Sequence, residues 1–187
     1  MGKRGQLYYL IGPSGSGKDS LISYVRNRLK GNGSVFFARR YITRPPQTDG
    51  ENHIALSREE FQQRLKQGLF AMHWRSHGYY YGIGIEIDHW LSKGCQVVVN
   101  GSRLYLPKAK QRYPDLKVIL IEASMEVLKR RLQTRGRETP EQIQERIERN
   151  NRINDVLAII PHVVINNDGA LDKAGEMLIQ ILLEHKR

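Results

Sequence analysis

The chain has a single cysteine, Cys95, so an internal disulfide is excluded and a reducing compartment is expected. Cys95 opens the apolar run CQVVV, which predicts a buried thiol rather than a nucleophile. Long apolar runs are missing as well: nothing approaches the roughly 18–20 residues that span a bilayer. The start, MGKRGQLYYLIGPSG, is basic then apolar like a signal peptide, but LYYLI is only five residues long and runs straight into a glycine loop. A first buried strand and a cytoplasmic location are the expectation. No repeat, low-complexity tract or Pro/Ser-rich linker divides the 187 residues, which predicts one domain over 1–187. His77, His89, His162 and His185 show no metal-ligand spacing.

Blocks of one charge are also absent, although 30 Lys and Arg against 19 Asp and Glu leave a net charge of +11. The bases cluster only mildly, in RRYITR and KRRLQTRGR, and otherwise alternate with acids as on a solvated helix face. Such a spread favours small polyanionic substrates over a duplex-binding stripe, and neither a nucleic-acid nor a membrane partner is expected. No pattern fixes the oligomeric state, and a homodimer stays open.

What is present is an alternation of short apolar strands and helical segments. QLYYLI, SVFFARRY, CQVVVN, KVILIEA and HVVINN read as strands, and all but SVFFARRY lead into a helix-length stretch. Buried strands alternating with helices predict an α/β fold with a parallel sheet covered on both faces. ETPEQ supplies Thr139 as a helix N-cap with Pro140 at the first helical position. Residues 43–84 are turn-rich, then helical, then hairpin-like, and read as a segment inserted between sheet strands where an acceptor could bind.

The chemistry is concentrated in GPSGSGKDS, Gly12 to Ser20. Glycines there let backbone N–H groups converge on phosphate oxygens, and the helix that follows adds its positive end. Gly12, Pro13, Ser14, Gly15, Ser16, Gly17 and Lys18 are the predicted nucleotide cradle, with Lys18 reaching the outer phosphates. The pattern asks for a hydroxyl after the lysine and finds Asp19. Asp19 reads either as a first-turn helix acid, with Ser20 supplying the hydroxyl, or as a carboxylate that holds Mg²⁺ beside the polyphosphate.

These motifs, with ITRPP, GEN, SREEF, HGYYYG, VLKRRLQTRG and VVINNDGALDKA in order, resemble the guanylate kinase branch of the P-loop nucleoside monophosphate kinases over most of the chain. The resemblance implies a P-loop kinase fold with an inserted acceptor-binding segment and a helical lid at about 131–146, and ATP with Mg²⁺ as co-substrate and cofactor. It implies that Arg44 and Tyr81 grip the acceptor's phosphate. It also implies that Arg131, Arg135 and Arg137 act on the transferred phosphoryl group, and that Asn166 and Asp168 approach the adenine.

The departures concern the acceptor. Where that family reads guanine with two carboxylates and a serine, this chain has Met72, Asn100 and Arg40 at or near those places. A phosphate-gripping arginine becomes Gln47 and a tyrosine becomes His53. Polar and basic residues, His53, His73, Arg75, Asn100 and Arg103 among them, suit an acceptor rich in phosphate and hydroxyl and without a base. The pattern resembles the branch of the family that phosphorylates ribose 1,5-bisphosphate to 5-phosphoribosyl 1-diphosphate in phosphonate degradation. A nucleoside monophosphate kinase and a non-catalytic guanylate-kinase-like binding domain are the rival readings. The complete loop with Lys18 argues against the second. Trp74 and Trp90 read as core, and Arg146 and Arg149 as one side of a largely solvated helix that could face the phosphates.

Overall fold

The structure, a computed structural model, describes residues 4–45, 52–136 and 139–184, and inside helices it leaves out the side chains at 135, 146 and 149–156. Gln47, Arg137 and the side chains of Arg135, Arg146 and Arg149 therefore lie outside the described residues. In chain order the elements are β1 (Leu7–Ile11), α1 (Lys18–Arg28), β2 (Val35–Phe37), β3 (Arg40–Ile42), β4 (Ile54–Ala55) and α2 (Arg58–Lys66). Then follow β5 (Phe70–Ser76), β6 (Tyr79–Gly84), α3 (Glu86–Ser92), β7 (Gln96–Asn100) and α4 (Leu106–Arg112). The chain closes with β8 (Lys117–Glu122), α5 (Met125–Arg135), α6 (Pro140–Leu157), β9 (His162–Asn166) and α7 (Leu171–Leu183).

The expected parallel sheet flanked by helices is what forms. Five strands run parallel in the order β2-β7-β1-β8-β9. The side-chain alternation of a strand divides β1 between two cores. Leu7, Tyr9 and Ile11 pack with Val97, Val99, Leu106 and Leu120 on one face. Tyr8 and Leu10 pack with Leu21, Val25, Ile119 and Leu178 on the other. With both faces covered, every residue of β1 is buried, which is why its sequence is apolar throughout rather than alternating.

SVFFARRY is not one strand. β2 belongs to the parallel sheet, and after Ala38 and Arg39 the chain enters a second, four-stranded sheet as β3, in the order β4-β3-β6-β5. There β6 runs antiparallel to both β3 and β5. The hairpin turns at His77 (φ 49°) and Gly78 (φ 80°), both left-handed, as a two-residue connection requires. This small sheet and α2 lie between β2 and α3 in the chain, and the sheet begins with β3, ahead of residue 43.

Three helices begin on a side-chain cap: Ser57 for α2, Ser124 for α5, and Thr139 for α6. At α6 the cap is a full box, with the Gln142 side chain returning to the Thr139 N–H. No side chain caps α1, and Gly17 occupies its N-cap position with φ 82°. A helix start without a side-chain cap presents its first-turn N–H groups to anions. Among the described residues no helix is long and apolar enough to cross a membrane.

Candidate functional site

The loop between β1 and α1 lies where β1 separates β7 from β8, at the carboxyl ends of the strands. Open α/β sheets bind ligands at that position. The loop closes tightly, Ser16 N–H donating to the Pro13 carbonyl at 3.1 Å. Gly17 has two reasons to be glycine: its φ is left-handed, and an added Cβ would come within 2.6 Å of Asn167 Nδ2. Lys18 stands partly buried at the first helical position, beside the loop it was expected to serve.

Asn167 is the residue that braces this loop. It is 2% exposed, and its Nδ2 donates to the Ser16 carbonyl at 2.7 Å. Arg131 reaches the same place from α5, donating to the carbonyls of Gly15 (3.3 Å), Ser16 (3.2 Å) and Asn167 (2.7 Å). Asn166 and Asp168 build the neighbouring turn instead. Asp168 N–H donates to Asn166 Oδ1 at 2.9 Å, and Asp168 Oδ1 accepts from Ser124 N–H. That backbone bond, with Asn166 Nδ2 as a second donor, holds the Asp168 carboxyl below the ordinary carboxylate value. Asn167 was missed in the sequence, yet a signal existed. Ile165 is buried and Asn166 exposed, so the strand's alternation turns Asn167 inward.

Asp19 faces across the cleft. Its Oδ1 accepts from Asn100 Nδ2 at 2.7 Å and lies 3.9 Å from Arg40 Nη2. Asn100 ends β7 and Arg40 begins β3, so two of the three positions that depart from guanine recognition converge on the residue after Lys18. The third, Met72, is fully buried in the core with Ile83 and Ile87 and lines no part of this cleft. Ser20 is exposed on the first turn of α1. Among the described residues no cluster of three His, Cys, Asp or Glu side chains is placed to hold a metal ion.

The acceptor candidates divide. Tyr81 is buried, stacked on Trp74 (5.6 Å between centroids, 5° between planes), and carries the Arg40 guanidinium 5.4 Å from its ring centre. Arg44 and the hairpin are joined through Thr43, whose Oγ1 accepts from Tyr80 N–H at 2.9 Å. His53 is buried, and its Nε2 donates to the Arg44 carbonyl at 3.1 Å; the other ring nitrogen has no hydrogen-bond partner among the described residues. His73 and Arg75 are exposed on β5. Arg103 is half-buried in the loop after β7. Tyr9 anchors that loop: its hydroxyl accepts from Ser102 N–H (2.9 Å) and donates to the Ser102 carbonyl (3.0 Å). Gly101 makes room for the ring, since a Cβ there would lie 2.1 Å from Tyr9 Cζ. Burial pushes the Tyr9 hydroxyl far up, so it stays a neutral donor.

A glycine loop ending in Lys18, set between β1 and an uncapped helix at the carboxyl edge of a parallel sheet, defines a P-loop kinase fold. The guanylate kinase family model matches residues 4–185, and the chain belongs to that family. Its curated relatives include a ribose 1,5-bisphosphate phosphokinase PhnN of Thiobacillus denitrificans, 56% identical over 178 residues, covering 95% of this chain and 93% of that protein. A protein of the same name from Chromobacterium violaceum is 49% identical over 99% of this chain and 97% of its own length. Among solved structures, guanylate kinase from Anaplasma phagocytophilum superimposes with a TM-score of 0.69, covering 100% of this chain and 88% of that one at 20% identity, and so shares the fold.

Proposed function

We propose that the chain is an ATP-dependent ribose 1,5-bisphosphate phosphokinase, transferring the γ-phosphoryl group of ATP to the acceptor's 1-phosphate to give 5-phosphoribosyl 1-diphosphate and ADP. The observation that carries this reading is the 56% and 49% identity, along nearly the whole chain, to proteins of that name. The site agrees in its chemistry. Of the positions that would read a guanine, Asn100 and Arg40 carry no acid and Met72 is out of reach.

The attacking group is an anionic phosphate oxygen, so no general base is needed, and catalysis reduces to positioning and charge neutralisation. The loop N–H groups and Lys18 hold the β- and γ-phosphates. Arg131 keeps the loop carbonyls turned away from them by donating to Gly15 and Ser16. Arg135 and Arg137 are assigned to the transferring group, and Arg44 and Tyr81 to the acceptor's reacting phosphate. Mg²⁺ prefers one or two carboxylates and substrate oxygens and keeps several waters. Ser20 and the second oxygen of Asp19 would hold such an ion, which would supply charge neutralisation for the phosphates. P-loop NTPases pair a loop hydroxyl with an acid held elsewhere. Here the acid, Asp19, is on the loop's own helix, and its partner at the end of the adjacent strand is the neutral Asn100. Because Asp19 Oδ1 is already engaged, Ser20→Ala raises half-saturating Mg²⁺ more than Asp19→Asn does.

Incubation with ATP and ribose 1,5-bisphosphate, followed by ³¹P NMR, tests the reading. A new diphosphate on the sugar is expected. Turnover of GMP with none of the bisphosphate would overturn it.

A further inference from the structure

Asp19, Arg40 and Asn100 come from α1, β3 and β7, and they meet in the wall of a cavity that opens between α1 and the β2–β3 junction. Arg26 and Arg39 line it too, so its described walls carry three guanidinium groups against one carboxylate. Arg40 is not a loose surface side chain. It is 14% exposed and lies over Tyr81, which is itself stacked on Trp74. Packing of that kind fixes the direction of the guanidinium fork, which favours recognition of a planar or tetrahedral oxyanion.

Asn100 adds a second requirement. A carboxylate only accepts hydrogen bonds, so Asp19 fixes the Asn100 amide with Nδ2 toward itself. Oδ1 is thereby left as an acceptor, in a residue 8% exposed, with no hydrogen-bond partner among the described residues. A buried acceptor is costly to leave unpaired, and a ligand donor is what it lacks. A serine at position 19 would not impose this orientation, because a hydroxyl both donates and accepts.

We propose that this cavity takes the non-reacting end of the acceptor: a phosphate on Arg40 with Arg39 and Arg26 beside it, and a sugar hydroxyl donating to Asn100 Oδ1. Asp19 is a positioning residue that sets Asn100 and faces Arg40. The proposal rests on the reading of the chain as a kinase of a bisphosphorylated sugar, whose reacting phosphate is held at Arg44 and Tyr81. A guanine fits the cavity poorly. Its N–H edge calls for carboxylates, and the one carboxylate among the described lining residues is already engaged.

The probe is ribose 5-phosphate, which carries the distal phosphate and hydroxyls without the reacting phosphate. Calorimetry with the wild-type protein should show binding, and Arg40→Ser should weaken it by about tenfold to a hundredfold, the range for a charge-assisted contact. Retained ATP affinity in the same variant reports that it is folded. Asn100→Leu should reduce the preference for ribose 5-phosphate over inorganic phosphate, and Asp19→Asn should weaken ribose 5-phosphate while half-saturating Mg²⁺ moves less. If Arg40→Ser does not fold, Arg40→Lys carries the test through kinetics: its kcat/KM ratio for ribose 1,5-bisphosphate over ribose 1-phosphate should fall about tenfold or more, since a point charge replaces a fork. An unchanged ratio, ribose 5-phosphate binding equal in wild type and Arg40→Ser, or no binding to wild type at millimolar concentration would each overturn the subsite. Failure of the wild type to turn over ribose 1,5-bisphosphate overturns the functional reading itself, and the calorimetry separates the two.

Discussion

The two sides of the cleft are built from different materials. The side assigned to the donor nucleotide is backbone: loop N–H groups, the uncapped start of α1, and carbonyls held by Asn167 and Arg131. The side proposed for the acceptor is side chains: Arg40 on Tyr81, His53 bonded to the Arg44 carbonyl, and Asn100 against Asp19. Backbone geometry recognises any polyphosphate and leaves little room for variation. Side chains can be exchanged one at a time, so a new acceptor can be recruited without rebuilding the donor site. Asp19 sits on the boundary, attached to the donor helix and directed at the acceptor cavity.

The comparison breaks first at Lys18. Lys18→Ala removes a side chain assigned to the outer phosphates and should lower kcat by on the order of 10²–10³. Its melting curve should stay near wild type, and near-normal turnover in the folded variant would remove the kinase reading. On the other side, Arg44→Ala should raise the acceptor KM by about tenfold to a hundredfold while ATP affinity, read by calorimetry, holds. The opposite pattern would mean the subsites are exchanged. Asn167→Ala removes the shorter of the two hydrogen bonds to the Ser16 carbonyl, leaving the Arg131 guanidinium, and should cost about 0.5–1.5 kcal/mol, a melting-point loss of a few degrees, with ATP affinity falling too.

The smallest effect concerns Asp168. Its carboxyl titrates below the ordinary value because Ser124 N–H and Asn166 favour the charged form. A lowered folded-state value stabilises the fold at and above the ordinary carboxylate range and loses that contribution as pH falls through it. Thermal melts of wild type and Asp168→Asn should therefore differ at neutral pH and converge in acid. A constant offset at every pH would assign the difference to shape rather than charge.

The β1–loop–α1 unit was legible because it is local. A strand, a glycine loop and a helix are contiguous, and each has its own signature in the residues. The split of SVFFARRY was not legible, since only Ala38 and Arg39 separate β2 from β3 and neither is a turn residue. Ala38 N–H still bonds the Val98 carbonyl, so the first sheet continues to the point of departure. Asp19 was the other limit. One local reading made it a first-turn helix acid and the other a metal-holding neighbour of phosphate, whereas its partner Asn100 lies 81 positions away and is brought near by the β1–β7 pairing. Tyr9 was read as a buried strand residue, and the long-range bond of its hydroxyl to Ser102 leaves no trace in the local pattern.

The central claim is that the donor side is that of the family and the acceptor side is not. It is tested most directly by kcat/KM for ribose 1,5-bisphosphate, GMP and AMP measured side by side at one saturating ATP concentration. The account predicts that the bisphosphate leads both nucleotides by about 10³ or more, the margin expected when a site's polar groups match one substrate and are left unpaired by another. GMP turned over as well as the bisphosphate, or better, would contradict it.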